Sequence, residues 1–269
     1  MSRPGGGGTP KAASRHLVMV HGMWGGAWCW ENYAAYFSDL GYECHIPVLR
    51  HHGVSPSDAP PPGLGTTGLE DYARDLGAYI LDLPESPVLM GHSMGGLLVQ
   101  MLAQQGLASR TVLLAPAPPA GIHALSFSVF CSFFHMFTTW AFWRKPHKIP
   151  FKTARYSFLH HLTPEAQHQA YDRLVHESGC AASQIGLWPL DPGRASCVDE
   201  RAVTCPQLII GAENDRIVPA AVVRKVAKKY RATAQYHELP GFSHWLLGEP
   251  GWEDVAALVA QWLGRADGM

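Results

Sequence analysis

Pro87-Val88-Leu89-Met90-Gly91-His92-Ser93-Met94-Gly95-Gly96 is a short apolar run that ends in G-x-S-x-G and passes into a helical pattern, Met94 to Gln105, stopped by Gly106. A serine in a tight turn between strand and helix takes up strained backbone geometry that only small neighbours tolerate. Gly91 and Gly95 flank Ser93 two residues to either side. The hydroxyl is then held out of the turn, where a substrate can meet it. A phosphate-binding loop, the other use of glycines at such a junction, needs a Lys after them, and none follows. The stretch reads as a nucleophile elbow.

Working outward, the chain alternates. His16 to Val20 is a buried-strand pattern, and Ala27 to Leu40 carries apolar residues at helical spacing until Gly41. Tyr42 to Leu49 reads as a second strand, His51 to Thr67 as a Pro- and Gly-rich loop, and Leu69 to Leu83 as an amphipathic helix. Val88 to Met90 leads into the elbow, and Thr111 to Ala115 is a fourth strand. After a long interruption the rhythm resumes with Gln207–Ile210 (strand), Ala220–Tyr230 (helix), Gln235–Leu239 (strand) and Trp252–Leu263 (helix). Such alternation implies right-handed crossovers and an α/β fold: a mostly parallel sheet of about six strands with helices on both faces.

The interruption lies between the fourth and fifth predicted strands. Within it, Ile122 to Trp143 holds eight Phe and Trp residues and no Asp, Glu, Lys or Arg. That length invites a membrane span, but a span here would pull two halves of one sheet to a bilayer, and the stretch contains His123, His135 and several hydroxyls. The favoured reading is a helical cap over residues 118–201. Lipid contact at an interface stays open for its aromatic face. The core is then 15–117 with 202–269, preceded by a Gly-, Pro- and Ala-rich disordered tail, 1–14.

Composition narrows the partners. A formal net charge of -1 over 269 residues, with no basic run, argues against nucleic acid and leaves small molecules as the default. Six scattered cysteines without C-x-x-C or zinc spacing fit free thiols in a reducing compartment, and residues 1–14 lack a signal-peptide core. Both point to a cytoplasmic protein. The adjacent pairs His51-His52 and His160-His161 cannot face one metal together, so neither metal nor other cofactor is expected. Oligomeric state is not legible.

Downstream of the elbow, Asp215 stands in Gly211-Ala-Glu-Asn-Asp-Arg-Ile-Val-Pro219 and His244 in Gly241-Phe-Ser-His-Trp245. Each follows a predicted strand at its carboxyl end, where an open parallel sheet places its ligands. A serine hydroxyl is a weak nucleophile, so a base must take its proton and an acid must fix that base's tautomer. Asp191, Asp199 and Glu213 are alternative acids. The first two precede the last strands, in a region able to fold back, and the third neighbours Asp215.

The order Ser93, Asp215, His244 resembles that of the α/β-hydrolase superfamily, and the likeness covers nearly the whole chain beyond the tail. It implies an oxyanion hole formed by the backbone N–H groups of Met94 and Met23. Val20-His-Gly-Met-Trp-Gly-Gly-Ala-Trp-Cys-Trp30 is similar to the opening of the plant-type methylesterase and hydroxynitrile lyase branch. Lyases of that branch carry Thr where Gly22 stands and Lys where Trp245 stands, which tilts the expectation to a serine carboxylesterase acting on small to medium apolar or aromatic esters. Trp24, His92, Trp245, Phe130 and Phe134 are the expected substrate-binding residues. The alternatives are a C–C bond hydrolase, a thioesterase, a lyase, or a non-catalytic ligand receptor on the same fold.

Overall fold

The computed structural model describes residues 14–265. The expected tail lies outside them except for Ser14, which is buried and accepts a hydrogen bond from the His16 N–H (3.3 Å). The strands are β1 (His16–Val20), β2 (Glu43–His45), β3 (Val88–His92), β4 (Arg110–Leu114), β5 (Pro146–His147), β6 (Glu177–Ser178), β7 (Gln207–Ala212) and β8 (Ala234–Leu239). The helices are α1 (Glu31–Asp39), α2 (Leu69–Leu81), α3 (Met94–Ala103), α4 (Phe127–Phe137), α5 (Phe151–Ser157), α6 (Pro164–Asp172), α7 (Gly179–Gly186), α8 (Ala220–Lys229) and α9 (Trp252–Arg265).

Six strands form one sheet in the order β2-β1-β3-β4-β7-β8, every pairing parallel, with helices on both faces. All residues of β3 and β7 are buried, as covering both faces demands, so these strands read as unbroken apolar runs. The edge strand β8 has no buried residue, and Gln235 and Glu238 are exposed. Both Ser93 and the turn after Val20 leave the carboxyl ends of neighbouring strands, since Val20 pairs with Gly91.

Two elements differ from the sequence expectation. The helix expected over Ala27–Leu40 opens as a 3-10 turn, Ala27–Trp30, before α1 begins. The second strand is three residues long, not eight, because Pro47 brings no N–H to a ladder and the Leu49 N–H is spent on the ring of His21 (3.2 Å).

Between β4 and β7 the chain leaves the sheet for an insert built from α4 to α7 and the small antiparallel pair β5–β6. The aromatic stretch is not one helix. Only Phe127–Phe137 is α-helical; the chain then turns at Ala141 (φ 54°) into the 3-10 turn Phe142–Arg144. Among the described residues no helix is long and apolar enough to cross a membrane. The insert is tied down through Glu177, wholly buried, which accepts from the Tyr72 hydroxyl (2.8 Å) and meets His52 Nε2 (3.1 Å). Burial opposes charge on both partners, yet each holds the other ionised: the pKa of Glu177 lies below the usual carboxylate value and that of His52 above the usual imidazole value.

Candidate active site

Ser93 has φ 55° and ψ −123°, a conformation non-glycine residues avoid, and the structure around it over-determines the turn. Its N–H donates to the Leu114 carbonyl (3.1 Å), and its own carbonyl accepts from Gly96 (2.9 Å), Leu97 (3.3 Å) and Ala117 (2.9 Å). The flanking glycines are needed for close approach. A Cβ on Gly91 would sit 2.4 Å from the Gly95 carbonyl oxygen, and one on Gly95 would sit 2.1 Å from the Val20 oxygen. One helical turn on, buried Gln100 donates to the Gly96 carbonyl (3.0 Å) and accepts from the Tyr230 hydroxyl (2.9 Å).

Asp215 and His244 meet on the loops after β7 and β8. Asp215 Oδ2 contacts His244 Nδ1 at 2.7 Å, and Oδ1 accepts from the N–H groups of Ile217 (2.8 Å) and Val218 (2.7 Å). Both carboxylate oxygens are thus engaged, which fixes Nδ1 as the protonated nitrogen and leaves Nε2 as the base. Three supports hold the histidine loop. His92 Nε2 donates to the His244 carbonyl (2.8 Å), Glu213 accepts from the Gly241 N–H (2.8 Å), and buried Glu249 accepts from the Ser243 N–H (2.8 Å) while its other oxygen meets His161 (2.8 Å) of the insert. Burial, with the His244 ring 4.7 Å away, pushes the pKa of His92 down to about 3.

Of the alternative acids, Glu213 serves the loop. Asp191 accepts from the N–H groups of Gly193 (3.2 Å) and Ala195 (2.7 Å), and Asp199 accepts from that of Arg201 (3.0 Å), whereas it is Asp215 that meets His244.

The turn after β1 completes the set. Leu49 donates to His21 Nε2, so His21 Nδ1 carries the proton and gives it to the Gly22 carbonyl (2.9 Å). Burial, then the nearby His52, pushes the His21 pKa down to about 3, so the ring stays neutral. Met23 follows, and both it and Met94 line the cavity. Met94 is the first residue of α3, where an N–H has no carbonyl partner within the helix.

Ser93 and His244 line a cavity of about 230 Å³ whose far walls come from the insert. Of the residues the sequence suggests for substrate binding, Trp24, Trp245, His92 and Phe130 line it. Two of them also hold the frame. His92 is committed to the His244 carbonyl. Trp24 (φ 61°) spans core and insert, donating from Nε1 to the His147 carbonyl (3.1 Å) and accepting from the Val175 N–H (2.9 Å).

Phe134 is a correction: it is half exposed, packs on Phe130 and does not line the cavity. The face of α4 that turns inward is Val129, Phe133 and Met136, at i, i+4, i+7; Phe133 stacks on Trp24 with centroids 6.0 Å apart. That spacing is visible in the chain but is obscured by aromatic residues on the opposite face. Phe158, Leu174 and Ile217 also line the cavity without a sequence signal of their own.

Among the described residues one group has metal-like proximity: His16, Glu43 and His45 bring ligand atoms within 4.8 Å. It sits at the starts of β1 and β2, the opposite strand ends from Ser93. None of the three lines the cavity, and His16 Nδ1 and His45 Nε2 already share a 3.0 Å hydrogen bond.

A parallel sheet with a strained serine after its third strand and an Asp–His pair on later loops defines a class, and the chain belongs to it: residues 17–258 match the Alpha/beta hydrolase family. It is 34% identical over 114 residues to Probable esterase PIR7A of Oryza sativa subsp. indica, 40% of this chain and 42% of that protein. Methylesterase 1 of Arabidopsis thaliana is 34% identical over 89 residues, 31% of each chain. The match thus spans less than half the length of these relatives. Among solved structures, a pyrethroid hydrolase from Sphingobium faniae JZ-2 superposes with a TM-score of 0.69 at 19% identity, covering 93% of this chain and 97% of that one. A methylesterase from Arabidopsis gives 0.68 at 16%, covering 93% and 98%. At these identities the likeness is one of fold.

Proposed function

We propose that the protein is a serine carboxylesterase that cleaves small to medium esters with an apolar or aromatic part through an acyl-enzyme. The observation that carries the reading is the 2.7 Å contact between Asp215 and His244, with His244 and the strained Ser93 on one apolar cavity. In this reading Ser93 Oγ attacks the ester carbonyl carbon as His244 Nε2 takes its proton. The C=O electrons move to oxygen, held by the N–H groups of Met23 and Met94, each worth about 10²- to 10³-fold in rate. Collapse expels the alcohol oxygen, which receives the proton from His244. Water, deprotonated by the same ring, then attacks the acyl carbon and releases the acid and Ser93. Asp215 stabilises the imidazolium formed at each stage.

Residues 118–201 form the cap over this site and 15–117 with 202–265 the core, the last four residues of the expected core lying outside the described ones. The esterase names of the relatives agree with this chemistry, and six free cysteines agree with a cytoplasmic setting. Gly22 speaks against a lyase: a Cβ there would lie 2.9 Å from Ser93 Cβ, so a threonine would crowd the nucleophile.

A fluorophosphonate probe followed by peptide mapping tests the mechanism. Labelling at Ser93, abolished in Ser93→Ala, is expected, and Asp215→Asn should lower turnover of an aryl acetate on the order of 10⁴-fold. Labelling elsewhere, or full turnover in Ser93→Ala, overturns it; tight binding of an apolar ester without turnover points to a receptor.

A further inference from the structure

Helix α4 presents an aromatic stripe to solvent. Phe127, Phe130, Phe134 and Phe137 follow one another at i, i+3, i+7 and i+10, each at least 46% exposed, and Trp140 (84%) and Trp143 (43%) extend the stripe beyond the helix. The rings touch in series: Phe130 with Phe134 (5.3 Å), Phe137 with Phe142 (5.7 Å), Phe142 with Trp143 (5.6 Å) and Trp143 with Trp140 (6.4 Å). A continuous exposed aromatic surface of this kind marks an interaction site. Phe130 and Phe137 belong to it and also line the cavity, so the stripe runs into the wall of the pocket.

Charge identifies the partner. Residues 118–164 contain five Lys and Arg and not one Asp or Glu, in a chain whose net charge is -1. Arg144 and Lys145 directly follow Trp143, and Lys152 and Arg155 stand on α5, which packs against α4; all four are exposed, and none meets a carboxylate among the described residues. Aromatic rings beside unpaired cations match an anionic phospholipid surface. Rings enter the headgroup and upper acyl region, the cations meet phosphate and carboxylate, and each cation near the surface is worth roughly fivefold in partitioning. A second copy fits less well, because a two-fold contact would set these cations against their own counterparts.

We infer that the outer face of α4, with Trp140, Trp143 and the flanking cations, docks the protein reversibly on anionic phospholipid membranes and draws membrane-dissolved apolar esters into the cavity. The docking stands by itself; the delivery of esters rests on the esterase reading. The cavity wall that Phe130 and Phe137 share with the stripe then lies against the bilayer, so a lipophilic ester moves from acyl chains to aromatic walls with little exposure to water.

The test is cosedimentation of the purified chain with phosphatidylcholine vesicles, with and without phosphatidylserine, alongside hydrolysis of a short water-soluble aryl acetate. Binding is expected to be strong with phosphatidylserine, weak without it, and reduced by salt. Phe127→Ser with Trp140→Ser, neither in the cavity, should weaken binding on the order of tenfold or more and leave acetate hydrolysis unchanged. Arg144→Glu with Lys145→Glu should remove the phosphatidylserine dependence. Ser93→Ala should bind vesicles like the unaltered protein, which separates failure of docking from failure of the esterase reading. The inference is overturned if the unaltered protein stays in the supernatant with both vesicles, if the aromatic variant binds equally well, or if the stripe instead closes a dimer that Trp140→Ser dissociates.

Discussion

The turn at Ser93 and helix α4 border the same cavity and are built in opposite ways. From Val88 to Ala103 every residue is buried, and the turn is held by main-chain contacts to β1 and β4. In α4 only Ser132 and Met136 are buried, and four of its five phenylalanines face solvent. Under the proposed esterase mechanism, the difference follows from what each must do. A reacting oxygen has to be placed to a fraction of an ångström, which rigid backbone supplies; an apolar wall needs only area, which replaceable side chains on a surface helix supply.

The sharpest way to break the comparison is to place an alanine in each region. In Gly95→Ala the new Cβ meets the Val20 carbonyl oxygen at 2.1 Å and that of His21 at 2.6 Å, and main chain at the end of a central strand cannot yield. The expected cost is about 4 kcal/mol or more, enough to leave little folded protein. Ser128→Ala on α4, at a helix position half open to solvent, should stay within about 0.5 kcal/mol. Urea melts of both variants provide the check; a Gly95→Ala protein as stable as the parent would show the turn to be far more yielding than its contacts indicate.

Acid should unfold the core through its neutral histidines. His21, which faces His52 and Glu177, and His92, which faces His244 and His21, have folded pKa values pushed down to about 3, against an unfolded value near 6.5. The unfolded chain therefore binds two protons that the folded chain refuses. Stability from this source is complete above pH 6.5 and falls as pH drops toward 3, by up to about 3 kcal/mol per pH unit for the two together. The buried His52–Glu177 pair does not offset this: with His52 raised, its contribution is already complete below the unfolded value, and Glu177, being lowered, loses its own only at still lower pH. His92→Gln keeps a donor for the His244 carbonyl and should remove about half of the slope. A flat urea midpoint between pH 7 and 5 would contradict the neutral assignment.

The same contrast governs how much could be read from the chain. Strands β3, β4 and β7 were legible because burial on both faces leaves an unbroken apolar run, and Ser93, Asp215 and His244 because each sits in a short motif at a strand end. The edge strand β2 is shorter than its apolar pattern suggests: edge pairing is short, and Pro47 breaks it without altering that pattern. Glu177 and Glu249 left no signal at all, since their histidine partners lie 125 and 88 residues away in the sequence and meet them only through the fold. Phe134 departs from its expected place for a different reason. A helix aromatic on two faces has no hydrophobic phase, so the inward side cannot be chosen until something packs against it.

That last ambiguity yields the smallest and most discriminating test. Phe133 and Phe134 are chemically identical neighbours about 100° apart around α4, one stacked on Trp24 at 6.0 Å and lining the cavity, the other half exposed. Phe133→Ala should cost about 1 to 2 kcal/mol, less than a fully buried ring because Phe133 is only partly buried. It should also raise KM for aryl esters more than it lowers kcat, because the lost wall contacts ground state and transition state alike. Phe134→Ala should change stability by no more than about 0.5 kcal/mol and leave both kinetic constants as they were. Reversal of the two would mean that α4 is rotated by one residue on the core, and the cavity wall would have to be redrawn around Phe134.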